Sequence, residues 1–474
     1  MTTMSVYIVC FIMGFVIFQS YNVELRRLSY SNLLRCFCAL LFGVTLIMLL
    51  RRYVGIDLIL KAFRFRDLML MTLIALLGMC GTRVLGKFVY DYIVKFSVRS
   101  NAYGYSNLDL LDMEMKDLLQ RDPISVDFEL ISRKMSGRRI MVTGAAGSIG
   151  SELARLIAGC GPGELVLVDQ AETPLHDVRM TMAANFPHIR CRTIVTDICH
   201  RHRMEEIFKS YRPEIIFHAA AYKHVPMMED NPVESVLNNV VGTKVIADLS
   251  VAYGVKKFVM VSTDKAINPT NIMGCSKRIC EIYCQSLGNR SQNDEKCEFI
   301  TTRFGNVLGS NGSVIPIFRE QIRQGGPVRV THPDIVRYFM LIPEACMLVL
   351  QAAAIGNGGE IYVFDMGQPV KIVDLAKRMI TLSGTSDIEI KYTGLRPGEK
   401  LYEEVMDERE IDMPTSHPKI KKARVRKYDY EEVMNSMTEL LDVAHSYDAE
   451  RTVEAMHRFV PEYKSVNIKY SKIL

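Results

Sequence analysis

A short glycine-rich stretch has the residue types and the spacing that hold a phosphate group. Its glycines are Gly144, Gly147 and Gly150, and Ser148 and Ile149 lie between the last two. Glycine has no side chain to keep the backbone away from a pyrophosphate, and the free N–H groups at the start of a helix attract its negative charge. The chemistry predicted for this stretch is the binding of a dinucleotide.

The residues around the glycines predict the strand and the helix that such a turn requires. Arg139–Val142 is a short apolar run typical of a buried strand, and Ser151–Ile157 is apolar at helical spacing. A second predicted strand, Glu164–Val168, ends in Asp169, roughly 20 residues beyond the glycines, where a carboxylate accepts hydrogen bonds from ribose hydroxyls. Because an acid at that position disfavours a 2′-phosphate, NAD is preferred to NADP as the cofactor.

Two further predicted strands end in residues that suit the same cofactor and its substrate. The third ends at Asp197–Ile198, where the acid suits either the adenine amino group or the cap of the helix that follows. The fourth runs into Ala219–Ala220, whose small side chains let the strand end pack against a flat cofactor. Lys223 and His224 come next, at the carboxyl edge of the sheet, where ligands of open α/β folds bind.

The fifth predicted strand brings three polar residues to the same edge. Thr263, Asp264 and Lys265 follow its end, and a helix farther along the chain carries Met273 and Lys277 four residues apart on one face. Strands and helices that alternate in this way predict an α/β fold, a Rossmann-type doubly wound parallel sheet.

Composition excludes several other classes of protein. The 474 residues leave room for one large domain or for two or three smaller ones. A net charge of +5 is small for this length and the basic residues are scattered, so we expect no nucleic-acid partner. The 12 cysteines lack the paired spacing of a zinc site, so we expect no metal and interpret them as reduced thiols.

The N-terminal region is apolar enough to predict a membrane anchor. Three hydrophobic segments, 5–18, 33–50 and 68–80, are interpreted as transmembrane helices, although the first and third are short for a span. A nucleotide-binding domain must face the cytoplasm, yet the loop 51–67 holds more Lys and Arg than 21–32, against the positive-inside tendency. We expect a multi-pass membrane protein whose topology stays open.

The chain is expected to contain four parts. Residues 1–90 form the membrane region, and 91–137 form a linker with a short helix. Residues 138–425 form the NAD-binding domain, with a smaller substrate-binding part mainly in 303–410. A helical tail, 426–474, shows no recognisable chemistry.

Taken together, the motifs resemble those of a known family. Besides the glycine turn they are Asp169–Glu172, His218–Val225, Ser262–Lys277, Arg303–Val307 and Arg396–Leu401. The chain is similar to the extended short-chain dehydrogenase/reductase superfamily and, within it, to the membrane-anchored nucleotide-sugar 4,6-dehydratases of the polysaccharide biosynthesis (CapD-like) group. The similarity is close over about 117–425. It implies a protein of the bacterial inner membrane, with its catalytic domain in the cytoplasm, that serves capsule, O-antigen or other glycan synthesis.

The resemblance implies an internal redox reaction with net loss of water. NAD takes a hydride from C4 of a UDP-linked N-acetylhexosamine, with UDP-N-acetylglucosamine favoured, and the resulting 4-ketone acidifies the C5 proton. Lys265 is implied as the base at C5, and Asp264 as the acid that protonates the leaving C6 oxygen. The hydride then returns to the C6 carbon. Thr263 is implied to bind the C4 oxygen and Lys277 the nicotinamide ribose. A Lys that acts as a base needs a lowered pKa, to which the charge of Lys277 would contribute.

Two departures from the family pattern matter. The superfamily places a Tyr four residues before its Lys, and here Met273 stands there, whose thioether cannot exchange a proton. Members of the dehydratase group tolerate Met at this position, so we expect an active enzyme in which Asp264 or a water takes the C4 hydroxyl proton. The segment 91–137 is also too short for the extra nucleotide-binding-like domain of larger relatives, which leaves the completeness of the N-terminus open.

Later motifs supply candidates for substrate binding. Asn306 is placed for the sugar diphosphate, Arg337 for a phosphate, and Arg396 for the second phosphate or the uridine. Taken alone, each is equally compatible with a solvated surface residue. We also expect a homo-oligomer, and an aminotransferase or a reductase that consumes the product.

Two other functions stay open. A nucleotide-sugar 4-epimerase or reductase would keep the fold and the cofactor, but it needs a proton-transferring Tyr in place of Met273 and does not use an Asp264–Lys265 pair. A catalytically silent NAD- or nucleotide-sugar-binding membrane protein of a glycan assembly complex is supported by Met273 alone. The sequence decides neither the sugar nor whether C5 is inverted or retained.

Overall fold

The computed structural model describes residues 124–290, 297–383, 387–403, 412–423 and 426–473 and, near the N-terminus, Met13, 38–39 and 42–48. The chain divides into two compact units, Met1–Met113 and Glu114–Leu474. The strands and helices with the bounds given next all belong to the second unit.

Strands in this unit are short. They are β1 (Arg139–Thr143), β2 (Glu164–Asp169), β3 (Cys191–Val195), β4 (Ile215–His218), β5 (Lys257–Val261), β6 (Glu298–Arg303), β7 (Asn306–Leu308), β8 (Val328–Val330), β9 (Val336–Arg337), β10 (Phe339–Leu341), β11 (Glu360–Phe364), β12 (Val370–Lys371), β13 (Ile390–Tyr392), β14 (Asp412–Pro414) and β15 (Ile420–Ala423).

Helices alternate with the strands through most of the unit. They are α1 (Phe128–Met135), α2 (Ser148–Gly159), α3 (Glu172–Asn185), α4 (Arg201–Tyr211), α5 (Val225–Asp230), α6 (Pro232–Ser235), α7 (Gly242–Ala252), α8 (Ile272–Arg290), α9 (Val314–Arg323), α10 (Ile342–Ile355), α11 (Ile372–Leu382), α12 (Tyr430–Ala444) and α13 (Ala449–Phe459). A π-helical segment, Val236–Val241, leads into α7, and a 3₁₀ turn, Asp264–Ala266, follows β5.

One large sheet organises the unit. Nine strands form it, in the order β14-β15-β11-β6-β5-β4-β1-β2-β3. β1 runs parallel to β2 on one side and to β4 on the other, so the chain changes its direction of progress across the sheet at this place. β15 is antiparallel to both β11 and β14. The prediction of a Rossmann-type parallel sheet is confirmed, and ligands of such sheets bind at the switch point, beyond the carboxyl ends of the strands.

The central strands are continuous apolar runs because helices cover both faces of the sheet. In β1, Ile140–Val142 is fully buried, and in β4 so are Ile216 and Phe217. One buried cluster joins the sheet to α7, α8, α12 and α13, and the other joins it to α2 and α10. These two layers hold the strands so that their polar ends meet at one edge.

The C-terminal tail braces the segment that precedes α8. The backbone N–H of Lys464 donates to the carbonyl oxygen of Pro269 (3.0 Å). The side-chain amide of Asn467 donates to one carboxylate oxygen of Glu229 (2.8 Å), whose other oxygen accepts from the backbone N–H of Ile272 (2.8 Å). The tail, for which the sequence predicted no chemical role, therefore supports the helix that carries Met273 and Lys277.

A smaller part of the unit lies outside the large sheet. Among the described residues it contains three two-stranded ladders, β7–β10, β9–β12 and β8–β13. These strands come from the segment 303–410, which the sequence assigns to substrate binding. Asn306 begins β7, and Arg337 ends β9. The substrate-binding role and the four-part division of the chain stay predictions.

The prediction of a multi-pass protein of the inner membrane is wrong by the structural evidence. Among the described residues, no helix is both long enough and apolar enough to cross a bilayer. Of the predicted membrane segments, 68–80 lies outside the described residues, 5–18 does so except for Met13, and half of 33–50 is described, with 38–39 and 42–48 helical. The first and third segments have 14 and 13 residues, and apolar runs shorter than about 17 residues are as compatible with a buried core helix as with a span, so hydropathy alone gave too strong an indication for them.

The segment predicted as a linker with a short helix, 91–137, lies mostly outside the described residues. Its described end contains α1, which packs against the sheet through Ile131 and Met135, each 1% exposed. The carboxylate of Asp127 accepts a hydrogen bond from the backbone N–H of Leu130 (2.9 Å) and caps this helix.

Candidate active site

The glycine turn is built by close backbone approach. Gly144 has φ +69°, and a Cβ there would come within 2.5 Å of the backbone nitrogen of Ala220. A Cβ on Gly150 would come within 2.0 Å of the carbonyl oxygen of Gly144. The N–H of Ala219 also donates to the carbonyl oxygen of Thr143 (3.0 Å), so the turn after β1 lies directly against the end of β4. The structure thus brings the predicted glycines and the predicted small residues together at the switch point.

Asp169 ends β2 beside this turn. Its carboxylate accepts hydrogen bonds from the backbone N–H of Ala146 and of Ala171, both at 2.9 Å. On the other side of the turn, the Oγ of Ser148 accepts from the backbone N–H of Asn311 (3.1 Å). The turn is therefore held from both sides, with an acid at the position where ribose hydroxyls are expected.

Asp197 and Ile198 follow β3. The carboxylate of Asp197 accepts a hydrogen bond from the backbone N–H of Cys199 (2.8 Å), so it orders the turn that leads to α4. Ile198 is 5% exposed and packs on Gly242, where a Cβ would come within 2.4 Å of its Cδ1. Contact of either residue with an adenine ring stays a prediction.

Lys277, on α8, is a buried cation near the end of β4. It is 5% exposed, and no residue that the structure describes gives its Nζ a hydrogen bond or an ion pair. Burial lowers the pKa of Lys277. Burial and the nearby charge of Lys277 also lower the pKa of His218, at the end of β4, to about 3. Lys277 therefore lies close to the strand end that the glycine turn contacts.

Both ring nitrogens of His218 have partners. The Nδ1 lies 2.7 Å from the Oγ1 of Thr143, and the Nε2 lies 2.9 Å from the Oγ1 of Thr243. This arrangement is that of a neutral core histidine that ties β1, β4 and α7 together.

Asp264 and Lys265 occupy the 3₁₀ turn after β5. The Nζ of Lys265 donates to the Oδ1 of Asp264 (3.0 Å) and to the Oδ1 of Asn306 (3.2 Å). The Oγ1 of Thr263 donates to the same oxygen of Asp264 (2.9 Å). The side chains of Asp264 and Lys265 are 4% and 14% exposed. A buried acid–base pair therefore lies at the carboxyl edge of the sheet, and Asn306 is hydrogen-bonded to it.

The first turn of α8 packs directly on this pair. A Cβ on Gly274 would come within 2.1 Å of the carbonyl oxygen of Lys265, so glycine is required here. Met273, at the position of the usual Tyr, is 5% exposed. The helix thus brings Met273 and Lys277 to the side of the site where Asp264 and Lys265 lie.

A carboxylate that the sequence did not single out also reaches Lys265. The Oε1 of Glu403 lies 3.4 Å from the Nζ of Lys265 and 3.6 Å from the Nε of Arg337. Burial opposes the charge on Lys265, but Asp264 and Glu403 outweigh it and raise its pKa. A raised pKa is the reverse of the lowered pKa expected for a base, and its causes are the two carboxylates, Asp264 first and then Glu403.

The two carboxylates around Lys265 differ in their pKa. Burial raises the pKa of Asp264; Lys265 opposes this effect and Glu403 adds to it. Burial acts in the same direction on Glu403, but Lys265, Arg337 and Lys400 together lower its pKa. The ammonium of Lys265 therefore lies between a carboxyl with a raised pKa, Asp264, and one with a lowered pKa, Glu403.

Arg337 is engaged by protein groups. Its guanidinium pairs with Glu399 (3.4 Å) and donates to the carbonyl oxygens of Lys400 (2.8 Å) and Leu401 (3.2 Å). These contacts, with the one to Glu403, fasten the loop after Arg396 onto the site. The predicted contact of Arg337 with a phosphate stays a prediction, and it would have to compete with these partners.

The remaining predicted substrate residues form a positive face nearby. Partial burial, followed by the charges of Lys223 and Arg396, lowers the pKa of His224. The ring of His224 packs on Gly312, where a Cβ would come within 2.5 Å of its Cε1. Arg396 pairs with Glu399 at 3.3 Å and its side chain is 56% exposed. Two cations, Lys223 and Arg396, and an imidazole with a lowered pKa, His224, thus lie close together although they come from two separate segments.

Sequence reasoning missed the second carboxylate and a buried ion-pair cluster. Glu403 follows the recognised motif Arg396–Leu401 without a signal of its own, because an acid on a loop is ordinarily solvated. Glu281 and Arg303, paired at 2.6 Å and 0% and 1% exposed, come from a helix and a strand whose apolar spacing gave no reason to expect a buried charge. Only the folded chain brings these two residues together as an ion pair.

The sheet order, the glycine turn and the polar strand ends define a short-chain dehydrogenase/reductase-type fold of the nucleotide-sugar epimerase and dehydratase kind. A family model described as polysaccharide biosynthesis protein matches residues 140–425. The chain belongs to the polysaccharide biosynthesis protein family.

Individual relatives agree with this family. The capsular polysaccharide biosynthesis protein CapD of Staphylococcus aureus is 47% identical over 328 residues, which are 69% of this chain and 54% of that protein. The chain thus spans about half the length of this curated relative. The crystal structure of Pen from Bacillus thuringiensis is 28% identical with a TM-score of 0.57, over 64% of this chain and 98% of that one.

Relatives with two different activities match almost equally well. The UDP-N-acetylglucosamine 4,6-dehydratase (inverting) of Campylobacter jejuni is 30% identical over 270 residues, 56% of this chain and 77% of that protein. The UDP-glucose 4-epimerase of Rickettsia rickettsii is 31% identical over 278 residues, 58% of this chain and 79% of that protein. Similarity alone therefore does not separate dehydration from epimerisation.

Proposed function

We propose that this protein is a NAD-dependent nucleotide-sugar 4,6-dehydratase that acts on a UDP-N-acetylhexosamine, with UDP-N-acetylglucosamine favoured. The observation that carries the proposal is the buried Asp264–Lys265 pair at the carboxyl edge of the sheet. Two adjacent acid–base groups suit the removal of a proton from C5 together with protonation of the leaving C6 hydroxyl.

The residues at the switch point fit a dinucleotide. Side chains on Gly144 or Gly150 would collide with neighbouring backbone, which leaves the N–H groups at the start of α2 accessible to a pyrophosphate. Asp169 suits the ribose hydroxyls and argues for NAD rather than NADP. The buried ammonium of Lys277 lacks a described protein partner, as expected for a group that binds the nicotinamide ribose. When bound, NAD supplies a hydride acceptor and later a hydride donor.

The protein groups around the reacting carbons have defined tasks in this proposal. With Met273 unable to exchange a proton, Thr263 binds the C4 hydroxyl, and Asp264 or a water takes its proton as the C4 hydride leaves. Lys265 then takes the C5 proton, and Asp264 delivers a proton to the departing C6 oxygen, which leaves as water. Bound NAD, held by the glycine turn, Asp169 and Lys277, would accept the hydride from C4 and supply it to C6, so that the net reaction would be loss of water.

The pKa values of the pair support one assignment and constrain the other. The raised pKa of Asp264 supports its role as the acid toward the C6 oxygen. The raised pKa of Lys265 means that this residue is charged in the free protein, so its role as the base requires that the bound sugar and cofactor displace one of its partners. The pair is therefore expected to be set for catalysis only in the complex.

The diphosphate is assigned to the positive face formed by Lys223, His224 and Arg396. Their mutual charge effect on His224 supports a site for an anion, since an anion bound there would relieve the repulsion among them. Asn306 is assigned to the sugar diphosphate as well, and its hydrogen bond to Lys265 brings it to the catalytic pair. Membership of the polysaccharide biosynthesis family supports a role in capsule or another glycan, and an aminotransferase or a reductase would use the 4-keto product.

The test is incubation of the full-length chain with UDP-N-acetylglucosamine and NAD in deuterated water, followed by NMR of the sugar nucleotide. A C6 methyl signal with a deuteron at C5 would support dehydration, and the configuration at C5 would distinguish inversion from retention. Formation of UDP-N-acetylgalactosamine with protium at C5 would show epimerisation instead. Bound NAD with unchanged sugar, repeated with other UDP-hexoses, would favour a silent binding protein.

A further inference from the structure

A carboxylate that the proposed mechanism does not use lies against the catalytic lysine. The Oε1 of Glu403 is 3.4 Å from the Nζ of Lys265, and its side chain is 6% exposed. The same oxygen is 3.6 Å from the Nε of Arg337, whose Nη1 and Nη2 donate to the carbonyl oxygens of Leu401 and Lys400. Arg337 therefore holds both the carboxylate and the backbone that leads to it.

Three oxygens from three segments surround the ammonium of Lys265. They belong to Asp264, to Asn306 at the start of β7, and to Glu403, at 3.0, 3.2 and 3.4 Å. The ammonium donates hydrogen bonds to the first two oxygens, and the Glu403 carboxylate adds an ion pair. Loss of the Glu403 carboxylate would remove a negative charge from beside the ammonium.

The two carboxylates that contact the Lys265 ammonium differ in the number of positive charges around them. Glu403 is faced by three cations, Lys265, Arg337 and Lys400, whereas Asp264 is faced by Lys265 and by the Thr263 hydroxyl. The surplus of positive charge around Glu403 keeps it ionised, and its charge in turn favours a proton on Asp264.

We propose that Glu403 is a positioning residue for this reaction: held by Arg337, its carboxylate fixes the Lys265 ammonium and leaves Asp264 as the group that carries the proton to the C6 oxygen. The chemical part of this inference rests on the proposed dehydratase function. The placement of Lys265 is independent of turnover and is tested separately.

The first test measures the reactivity of Lys265 in the full-length chain. Wild type, Glu403→Gln and Glu399→Gln are treated with limiting acetic anhydride, which reacts with neutral amines, and peptide mass spectrometry gives acetylation relative to the exposed Lys256. Glu399 is the matched control because it pairs with Arg337 on the same loop but makes no described contact with Lys265. Lys265 acetylation should rise roughly tenfold in Glu403→Gln, the effect of a pKa lowered by about one unit, and stay unchanged in Glu399→Gln. Equal Lys265 acetylation in all three proteins would overturn the proposal.

The second test measures turnover. Glu403→Gln should lower kcat roughly tenfold or more, with KM for the nucleotide sugar within about twofold, because the residue acts on the acid–base pair rather than on the sugar. The alkaline limb of the kcat–pH profile should move to lower pH, since Asp264 loses the charge that favours its protonation. Glu403→Asp should recover part of the rate.

Thermal unfolding and retained NAD identify folded variants, and Glu403→Asp keeps the test valid if the amide variant unfolds. A Glu403→Gln protein with wild-type kcat and pH profile would overturn the catalytic part of the inference. Wild-type protein that makes no dehydrated sugar, yet shows the acetylation difference, would remove the proposed function and retain Glu403 as the residue that positions Lys265.

Discussion

Two clusters of buried charge lie beside each other after β5, and they differ in how completely they are neutralised. In the first, here the Glu281 cluster (Glu281, Arg303, Arg278 and Ser262), the carboxylate accepts from the Oγ of Ser262 (2.6 Å), from the Nε and Nη2 of Arg303 (2.8 and 2.6 Å) and from Arg278 (3.1 Å). Although burial opposes it, the two arginines hold the pKa of Glu281 below its usual value.

The second cluster begins two residues after Ser262. In this Lys265 cluster (Asp264, Lys265, Asn306, Glu403 and Arg337), two carboxylates compete for one ammonium, and Asp264 has a raised pKa while Glu403 has a lowered one. The side chain of Lys265 is also 14% exposed, whereas that of Arg303 is 1% exposed.

This difference in the pKa shifts of the carboxylates distinguishes a structural ion pair from a pair suited to proton transfer. A carboxylate with a lowered pKa and donors on every side keeps its charge at any physiological pH, so it can hold β6 to α8 but cannot exchange a proton. Two carboxylates with pKa values shifted in opposite directions supply one group that takes up a proton more readily and one that keeps its charge, which suits an acid–base pair. Burial of charge alone would not have distinguished the two clusters.

The largest effect is expected on turnover when the Lys265 cluster is broken. Lys265→Ala and Asp264→Asn should each lower the rate of dehydration at least roughly 100-fold, because each removes a group assigned to proton transfer. NAD binding, measured by fluorescence titration, should stay within about twofold of wild type, since neither residue is assigned to the cofactor. Loss of NAD in Lys265→Ala would contradict the assignment of this residue to chemistry.

Breaking the Glu281 cluster should act on stability. Glu281→Gln removes the buried carboxylate that pairs with Arg303 and Arg278, although Arg278 keeps its pairing with Glu462 (3.2 Å), and it should lower the free energy of unfolding by about 3–5 kcal/mol. Ser262→Ala removes one hydrogen bond and should lower it by about 1 kcal/mol. Urea unfolding of the full-length chain measures both. The contrast between the clusters would fail if Glu281→Gln unfolded like wild type and lost its activity.

A third prediction concerns the pH dependence of stability. His218 is satisfied at both ring nitrogens, and burial together with Lys277 lowers its pKa to about 3. In the unfolded chain this histidine takes up a proton near pH 6.5, whereas in the folded chain it stays neutral until the pH approaches about 3. Stability should therefore fall as the pH falls below about 6.5. Between pH 6.5 and 5 this residue should account for a loss of about 2 kcal/mol.

Urea unfolding of wild type and His218→Asn at the two pH values isolates this contribution. The variant should be less stable at pH 7 but should lose less stability on acidification, because it has no ring to protonate. Parallel losses in the two proteins would mean that His218 is not held neutral, and that it belongs with the charged groups of the site.

Much of the fold was predictable because its signals are local. The glycine turn, the apolar run of β1 and the acid that ends β2 lie within about 30 residues of sequence. A parallel sheet is built from such strand–helix–strand units. The carboxyl edge of the sheet as the place for ligands followed from the same pattern, and so did the location of Asp264 and Lys265 at that edge.

The parts that sequence reasoning missed depend on contacts between distant segments. Glu403 reaches Lys265 across 138 positions of chain, which no periodicity reports. The direction of the Lys265 pKa shift was also missed, since the motif alone predicted a lowered pKa and the two carboxylates raise it. The membrane prediction rested on apolar runs, and no helix among the described residues is both long enough and apolar enough to cross a bilayer.

The smallest expected effect concerns Lys277, a cation that belongs to neither of the two clusters. The ammonium of Lys277 is 5% exposed, and no described residue pairs with it, so its charge is uncompensated in the cofactor-free protein. Because burial lowers its pKa relative to the unfolded chain, the charge costs stability at neutral pH, and this cost disappears as the pH rises toward the usual value for lysine. Lys277→Met should therefore leave the cofactor-free protein as stable as wild type or slightly more stable.

The same variant should bind NAD roughly tenfold more weakly, because the hydrogen bonds to the nicotinamide ribose are lost, a change of about 1.4 kcal/mol. The rise in unfolding temperature on addition of NAD should shrink accordingly, since ligand stabilisation follows the ratio of NAD concentration to Kd. Arg303→Met provides the opposite case, because it strips a buried carboxylate of its partner and should destabilise the protein with or without NAD. If Lys277→Met instead lowered the stability of the cofactor-free protein and kept its NAD affinity, Lys277 would be a structural cation like Arg303, and the cofactor site would have to be placed without it.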